Sequence, residues 1–247
     1  MKALAKILAL VGAFGGAADV RACEVALVVA LDVSRSVDKF EYLQMRDGIA
    51  KAFLHRDVIE LISFMPGGIQ ATITQWGGEG QQRQAVGWTR LTDHSSILRF
   101  VERFVARERG FWMADTAIAE ALVHANLTLS TVPKACRRRV IDISGDGIAN
   151  AGPDVPPIAR AITDKGVTIN ELVIAGAKPD PVSYFLHGVI GGPGAFVEIA
   201  GSYGDYSNAM KRKLMRELTP ALAEIDQAPF PASPSDPISD TSPRGLW

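Results

Sequence analysis

The sequence has few of the residues that many small proteins use for covalent stability or metal chemistry. It contains only two cysteines in 247 residues, which excludes a disulfide-dense miniprotein and a four-thiolate zinc site. Four histidines, none in a metal-spaced pair, argue against a histidine-rich metal site. The formal net charge of −1 argues against a strongly basic nucleic-acid binder, so we expect no nucleic-acid partner. With 47% hydrophobic residues, the chain has the composition of a folded globular protein.

The two ends of the chain differ from the middle in composition. Lys2 and Lys6 are followed by an apolar stretch over 7–18 and by small residues before Cys23, which predicts a signal peptide over 1–22 and a periplasmic or secreted protein. One alternative is an uncleaved N-terminal helix, and another is a lipoprotein lipidated at Cys23, although Val20 and Arg21 match the usual lipidation sequence poorly. The stretch is shorter than the ~20 residues of a membrane-spanning helix, so we expect no transmembrane segment. Proline and serine dominate residues 226–247, which we expect to form a flexible tail.

The middle of the chain alternates between strand-like and helix-like segments. Continuous apolar runs over 24–31 and 139–144 are typical of central parallel strands. Two β-rich segments, 71–76 and 84–91, flank a glycine-rich turn and predict a hairpin. Over residues 23–225 we therefore expect an α/β fold: a three-layer, doubly wound, Rossmann-like and mostly parallel sheet with one antiparallel edge hairpin. The other predicted elements are strands over 167–175 and 195–200 and helices over 38–53, 57–64, 95–107, 116–129, 155–165 and 206–222.

Five oxygen-bearing side chains stand where predicted strands end or a predicted helix begins. Asp32, Ser34 and Ser36 follow the first central strand, Thr116 opens a helix, and Asp146 follows the second central strand. Ligands bind at this edge of an open α/β sheet, near the point where the strand order reverses. Two carboxylates and three hydroxyls form a hard-oxygen cage that suits Mg²⁺. Taken alone, the Asp-x-Ser-x-Ser run is also explained by a turn and a helix cap.

These residues resemble the metal-ion-dependent adhesion site of von Willebrand factor A-type domains, in which a DxSxS run, a threonine and an Asp-Gly pair occur together. The chain is similar in particular to a bacterial family of exported A-domain proteins, DUF1194, from Cys23 to about Ala223. The stretches that carry the similarity are DVSRSVDKFEYLQMRDGIA, GQQRQAVGW, TAIAEAL, CRRRVIDISGDGIAN, GVTINELVI and VIGGPGAFVEIA.

The resemblance implies a fold and a role for each of these side chains. Ser34 and Ser36 would bind the metal directly, and Asp32 and Asp146 would bind it directly or through water. Thr116 would join when a ligand is bound. A carboxylate of a protein partner would complete the coordination of Mg²⁺, or of Mn²⁺ or Ca²⁺. The resemblance thus implies a non-enzymatic binding module with no catalytic residues.

Two positions depart from the family pattern. Arg35 stands where a small residue is usual between the motif serines, and Ala114-Asp115 replaces the usual Gly-Gly before the threonine. Arg35 and Asp115 add a cation and a carboxylate beside the site. They either pair with each other or screen the metal from anionic partners.

Three further residues have expected structural roles. Cys23 and Cys136 precede the two site aspartates by nine and ten residues. If the two central strands are adjacent and parallel, both cysteines lie at the sheet end opposite the metal, where export would allow a disulfide. Two unlinked buried thiols are the alternative. Asp142 lies within the second central strand, so we expect a structural ion pair or hydrogen bond, with Arg137–Arg139 nearby in sequence.

Three functions are compatible with these features. The leading one is an exported module that docks an acidic group of a protein partner through its cation. The second is a Mg²⁺-dependent phosphatase-like hydrolase, suggested by Gly145-Asp146-Gly147, although Ser34 and Asn150 stand where that chemistry uses carboxylates. The third is a structural envelope protein whose metal only stabilises the fold.

Overall fold

The structure is a computed structural model that describes residues 23–176 and 179–219. The predicted signal peptide over 1–22, the predicted domain end at residue 225 and the predicted tail over 226–247 lie outside the described residues. In the part of the chain that is described, none of the helices combines the length and the apolar character needed to span a bilayer.

One six-stranded sheet runs through the centre of the molecule in the order β3-β2-β1-β4-β5-β6. Neighbouring strands are parallel except for β2 and β3, which form the antiparallel edge hairpin that the sequence predicts. The predicted α/β architecture is confirmed. The strands are β1 (Cys23–Asp32), β2 (Ile69–Trp76), β3 (Gln82–Leu91), β4 (Cys136–Gly145), β5 (Val167–Ile174) and β6 (Val197–Ala200).

Seven helices in the described chain cover the two faces of the sheet. One face carries α1, α2, α3 and α7, and the other carries α4, α5 and α6, so the molecule has three layers. The helices are α1 (Lys39–Phe53), α2 (Arg56–Phe64), α3 (His94–Val105), α4 (Ile118–Ser130), α5 (Val155–Thr163), α6 (Pro181–Gly188) and α7 (Tyr206–Leu218), and a 3₁₀ turn over Tyr203–Asp205 precedes α7.

Strand β1 is fully buried because helices cover both of its faces. Its larger residues, such as Leu27 and Leu31, face the layer that contains α1 and α7. Its alternate residues, such as Ala26 and Ala30, face α4. This two-sided burial explains why the strand reads as a continuous apolar run rather than as an alternating one.

The strand order reverses between β1 and β4. The chain leaves β1 toward β2 and β3 on one side and returns to β4 on the other. Both strands therefore end at the same edge, where their following loops diverge. Asp32 is the last residue of β1 and Asp146 comes directly after β4, so both lie at this switch point.

Helix α6 is absent from the sequence prediction. It has only eight residues, and of its side chains only Pro181 and Phe185 are buried. Two buried positions are too few to show a helical repeat of apolar residues in the sequence. A local signal does mark its start, because the Asp180 side chain accepts a hydrogen bond from the Val182 N–H and proline follows at the first helical position.

Asp142 forms the predicted structural ion pair, but the predicted sequence neighbours do not supply its partner. Lys213 of α7 lies 2.6 Å from an Asp142 carboxylate oxygen and 2.6 Å from Glu217. Arg137 instead lies 2.7 Å from Glu24. Residues 137–139 occupy the start of β4, whereas Asp142 lies under α7, so the cation beside it comes from that helix.

The two cysteines form a disulfide, as one of the two alternatives predicted. Cys23 and Cys136 are direct neighbours in the pairing of β1 with β4, and their Cα atoms lie 4.6 Å apart. The bridge lies at the sheet edge opposite Asp32.

Candidate metal centre

The loop after β1 folds back on its own aspartate. The Ser34 N–H donates to Asp32 Oδ1 at 2.7 Å, and the Ser34 and Ser36 hydroxyls lie 3.0 Å apart. Ser36 then donates to Asp146 Oδ1 at 2.8 Å. Four of the five predicted ligands are therefore joined by direct hydrogen bonds at the switch point of the sheet.

Asp146 is held by a second residue that the sequence analysis missed. Tyr203, in the 3₁₀ turn before α7, donates its hydroxyl to Asp146 Oδ2 at 2.8 Å. Both carboxylate oxygens of Asp146 thus have fixed donors. No motif signals this role, because Tyr203 is 57 residues away along the chain.

Thr116 lies on the neighbouring loop, whose position depends on Asn150. The Thr116 N–H donates to Asn150 Oδ1 at 2.8 Å, and the Asn150 N–H donates to the Thr116 carbonyl at 3.1 Å. Asn150 follows β4, so this double link connects the Thr116 loop to the loop that carries Asp146. Gly77, directly after β2, permits the close approach of the Thr116 loop to that strand's end, because a Cβ there would lie 2.4 Å from Ala114 Cβ.

The exposure of the proposed ligands increases from the inside of the site to its surface. Asp32 and Ser34 are fully buried, Thr116 is 5% exposed and Ser36 is exposed. Asp32 Oδ2 has no hydrogen-bond partner in the described part of the chain. Burial, and then the nearby charge of Asp146, raise the pKa of Asp32 to about 7. A bound cation would satisfy the unpartnered oxygen and offset the repulsion between the two carboxylates.

Arg109 fixes the backbone of the loop that carries Ser34 and Ser36. It is 6% exposed, and its guanidinium donates to the carbonyls of Val33 at 2.9 Å, Ser34 at 2.8 Å and Asp38 at 3.2 Å. These contacts use three donors of one planar group, so the carbonyls are held in a fixed arrangement.

The two departures from the family pattern form a pair at the rim. Arg35 Nη2 lies 3.8 Å from Asp115 Oδ1, and both side chains are more than half exposed. The Arg35 N–H also donates to the Ala114 carbonyl at 2.7 Å, which joins the two loops. Exposed ion pairs contribute little stability, so this contact is easily opened.

The donor set is compatible with a small divalent cation. Within residues 23–176 and 179–219, no three His, Cys, Asp or Glu side chains are arranged to hold a metal. Only two of the five predicted ligands are of those types, since the others are hydroxyls. Such a mixture of few carboxylates and several neutral oxygens is what Mg²⁺ accepts.

The model of one protein family matches residues 22–222 of this sequence, and its description reads protein of unknown function. The chain belongs to the DUF1194 family. No curated protein matches the sequence.

Solved structures of other proteins share the fold of this DUF1194 protein. Proximal thread matrix protein 1 from the mussel byssus is 17% identical, with a TM-score of 0.62 over 79% of this chain and 48% of that chain. The vWF domain of the type V pili tip protein Mfa5 from Porphyromonas gingivalis is 10% identical, with a TM-score of 0.57 over 85% and 98%. A von Willebrand factor type A protein from Catenulispora acidiphila is 18% identical, with a TM-score of 0.55 over 77% and 42%.

This DUF1194 protein therefore has a von Willebrand factor A-type fold. It spans about half the length of the mussel protein. One structure of that mussel protein, 16% identical to this chain, has zinc in its metal-ion-dependent adhesion site (MIDAS) motif.

Proposed function

We propose that this protein is an exported, non-enzymatic module that holds a divalent cation, Mg²⁺ or else Mn²⁺ or Ca²⁺, and docks an acidic group of a protein partner through it. Asp32, Ser34, Ser36, Asp146 and Thr116 are its proposed ligands. The observation that carries this proposal is the hydrogen-bonded group at the switch point, with one buried Asp32 oxygen left without a partner.

The chemistry of docking follows from the coordination. Two carboxylates balance the formal charge of a divalent cation but fill only part of its coordination sphere, so when bound it would act as a Lewis acid toward one outside carboxylate. The protein's own residues provide the rest. Ser34 and Ser36 supply neutral oxygens, and Arg109 keeps the loop rigid before a partner arrives.

Export is proposed from the N-terminal sequence and is supported by the disulfide. Residues 1–22 have the pattern of a signal peptide, and cleavage would leave Cys23 as the first residue. The Cys23–Cys136 bridge is of the kind that forms in oxidising compartments such as the periplasm.

Mg²⁺ titration calorimetry tests the metal site. We expect Asp32→Ala and Asp146→Ala to abolish Mg²⁺ binding while circular dichroism shows a retained fold, because each removes one of the two charged ligands. Asp164→Ala, the same substitution at an exposed position on α5's C-terminal side, is the matched control and should bind as the wild type does. Unchanged affinity in both site variants would overturn the assignment.

A second experiment separates docking from a purely structural metal. The mature protein is used to capture partners from periplasmic extract with Mg²⁺, with EDTA, and as the Ser34→Ala/Ser36→Ala variant. A partner retained only by the wild type in Mg²⁺ is expected. A Mg²⁺-dependent melting temperature with no Mg²⁺-dependent partner would favour the structural role instead.

A further inference from the structure

A groove lies beside the candidate metal centre, between the start of α1 and the segment that follows α3. Its volume is about 400 Å³. Tyr42 and Leu43 of α1 form one wall, and Val105 and Trp112 belong to the other side. Trp112 is 53% exposed, so its ring presents an apolar surface to an incoming chain.

Arg109 connects this groove to the metal-site loop. It lines the groove, and its guanidinium carbon lies 4.6 Å from the centre of the Trp112 ring. The same guanidinium donates to the carbonyls of Ser34 and Asp38. The groove therefore adjoins the loop that carries Ser34 and Ser36, and Lys39, which lines the groove, follows Ser36 by three residues.

The groove is basic. Four cations line it against the single carboxylate of Glu108: Lys39, Arg46, Arg107 and Arg109. Arg46 pairs with Asp47 at 2.8 Å, and Arg109 is occupied by carbonyls. Lys39 and Arg107 are exposed, and within the described residues neither has an ion-pair partner. These two positive charges are available to an outside anion.

A second depression, of about 430 Å³, adjoins the Thr116 loop and has no basic lining residue. Its carboxylates are those of Glu79 and Asp115, and Asp115 pairs with Arg35 at the rim. The groove therefore offers positive charge to a bound chain, whereas this depression offers the negative charge of Glu79. A bound chain with negative charges on one side of its metal-binding carboxylate is favoured in only one direction.

We propose that the groove is the docking site of an acidic polypeptide segment of the partner. One carboxylate of that segment completes the metal coordination, and further carboxylates lie along the groove against Lys39 and Arg107. The side-chain methylenes of the segment pack on Trp112. This inference rests on the proposed function and adds the chemical class and direction of the ligand.

A labelled oligoglutamate peptide tests this proposal by fluorescence anisotropy on the mature protein in Mg²⁺ at low ionic strength. We expect binding that the Lys39→Glu/Arg107→Glu variant weakens by at least about tenfold. The matched control is Lys51→Glu/Arg99→Glu, which makes the same charge change at exposed positions of α1 and α3 and should bind within about twofold of the wild type. An oligoglutamine peptide should not bind.

The outcomes distinguish binding in the groove from docking through the metal. Equal binding by the groove variant and its control would overturn the groove proposal, while Mg²⁺ affinity measured by calorimetry still reports on the metal site. Loss of peptide binding in the groove variant, with no change on adding EDTA, would support the groove and overturn metal-mediated docking. Tighter binding of an oligothymidylate of the same charge than of oligoglutamate would overturn the choice of a polypeptide ligand.

Discussion

Tyr203 is the residue through which the candidate metal centre contacts the beginning of α7. Its hydroxyl donates to the Asp146 oxygen that Ser36 does not use. A hydrogen bond of this kind orients a ligating carboxylate and limits the arrangements it adopts without metal. Tyr203 is therefore a positioning residue for the proposed ligand rather than a ligand itself.

Tyr203→Phe is expected to weaken Mg²⁺ binding by about tenfold or more, because Asp146 loses a fixed donor. Calorimetry measures the affinity, and thermal melting in EDTA checks that the fold is unchanged. Tyr206→Phe is the matched control, because it removes a buried hydroxyl that donates to Ser144 Oγ at 3.1 Å and not one that contacts Asp146. Equal losses in both variants would assign the effect to the packing of α7.

At the scale of elements, α7 is anchored to the sheet by a buried group of charges. Lys213 lies between Asp142 of β4 and Glu217 of its own helix, and Glu171 of β5 is buried nearby with both carboxylate oxygens lacking a hydrogen-bond partner among the described residues. One lysine cannot neutralise three buried carboxylates. At least one of them therefore keeps its proton at neutral pH.

Because the pKa values of these buried carboxyl groups are raised, their contribution to stability depends on pH. Burial, and then repulsion from Glu217, raise the pKa of Asp142 to about 8. Burial raises the pKa of Glu171 well above its ordinary value. Between the unfolded and folded pKa values the native state binds more protons than the unfolded state. The contribution of Asp142 to the free energy of unfolding is therefore full below about pH 4 and is lost as pH rises from about 4 to about 8, and that of Glu171 is lost in the same direction.

Glu171→Gln should remove part of this loss, because the amide resembles the protonated carboxyl and does not titrate. We expect the variant to be more stable than the wild type at pH 8, with a difference that grows by up to about 1.4 kcal/mol per pH unit. Urea unfolding at several pH values in EDTA measures this difference. Exposed Glu102→Gln on α3 is the control and should follow the wild type. A constant difference at all pH values would contradict the protonation of Glu171.

At the scale of the whole molecule, the disulfide closes a large part of the chain. Cys23 and Cys136 are 113 residues apart in sequence, so the bridge restricts the unfolded chain strongly. In the chain-entropy account, a loop of this size contributes about 4–5 kcal/mol to the free energy of unfolding.

Reduction with dithiothreitol is expected to lower the free energy of guanidinium unfolding by about 4–5 kcal/mol. The Cys23→Ala/Cys136→Ala variant is the control, because its stability should equal that of the reduced wild type and should not respond to dithiothreitol. A reduced protein as stable as the oxidised one would show that the bridge contributes nothing to stability.

The sequence predicts the parts of this fold that have a strong local or periodic signal. The apolar runs of β1 and β4 mark strands buried on both faces, and the hairpin has a glycine-rich turn between β-rich segments. The strand ends then bring Asp32 and Asp146 to one edge, because parallel strands end together. The metal-binding role of these residues stays a prediction.

The parts that sequence reasoning missed depend on distant contacts. The sequence suggests Arg137–Arg139 as partners of Asp142, but the cation that pairs with it comes from α7. Tyr203 and Arg109 have no spacing relation to the motif, since tertiary packing alone brings them to it. The sequence marks Asn150 only as a position where a phosphatase would have a carboxylate, whereas the structure shows it joined to Thr116 by two hydrogen bonds.

The described chain begins and ends on the same side of the sheet, at the N-terminal ends of β1 and β4. Cys23 starts β1 there, and near the end of α7 the Glu217 carbonyl accepts a hydrogen bond from Arg138, two residues after Cys136. Asp32 lies at the other edge. If a partner held at Asp32 is pulled away from the end of α7, the load passes from β1 into its neighbouring strands and runs parallel to them. The ladders of β1 with β2 and β4 then resist in shear, with many hydrogen bonds and one covalent link sharing the force, rather than opening one bond at a time.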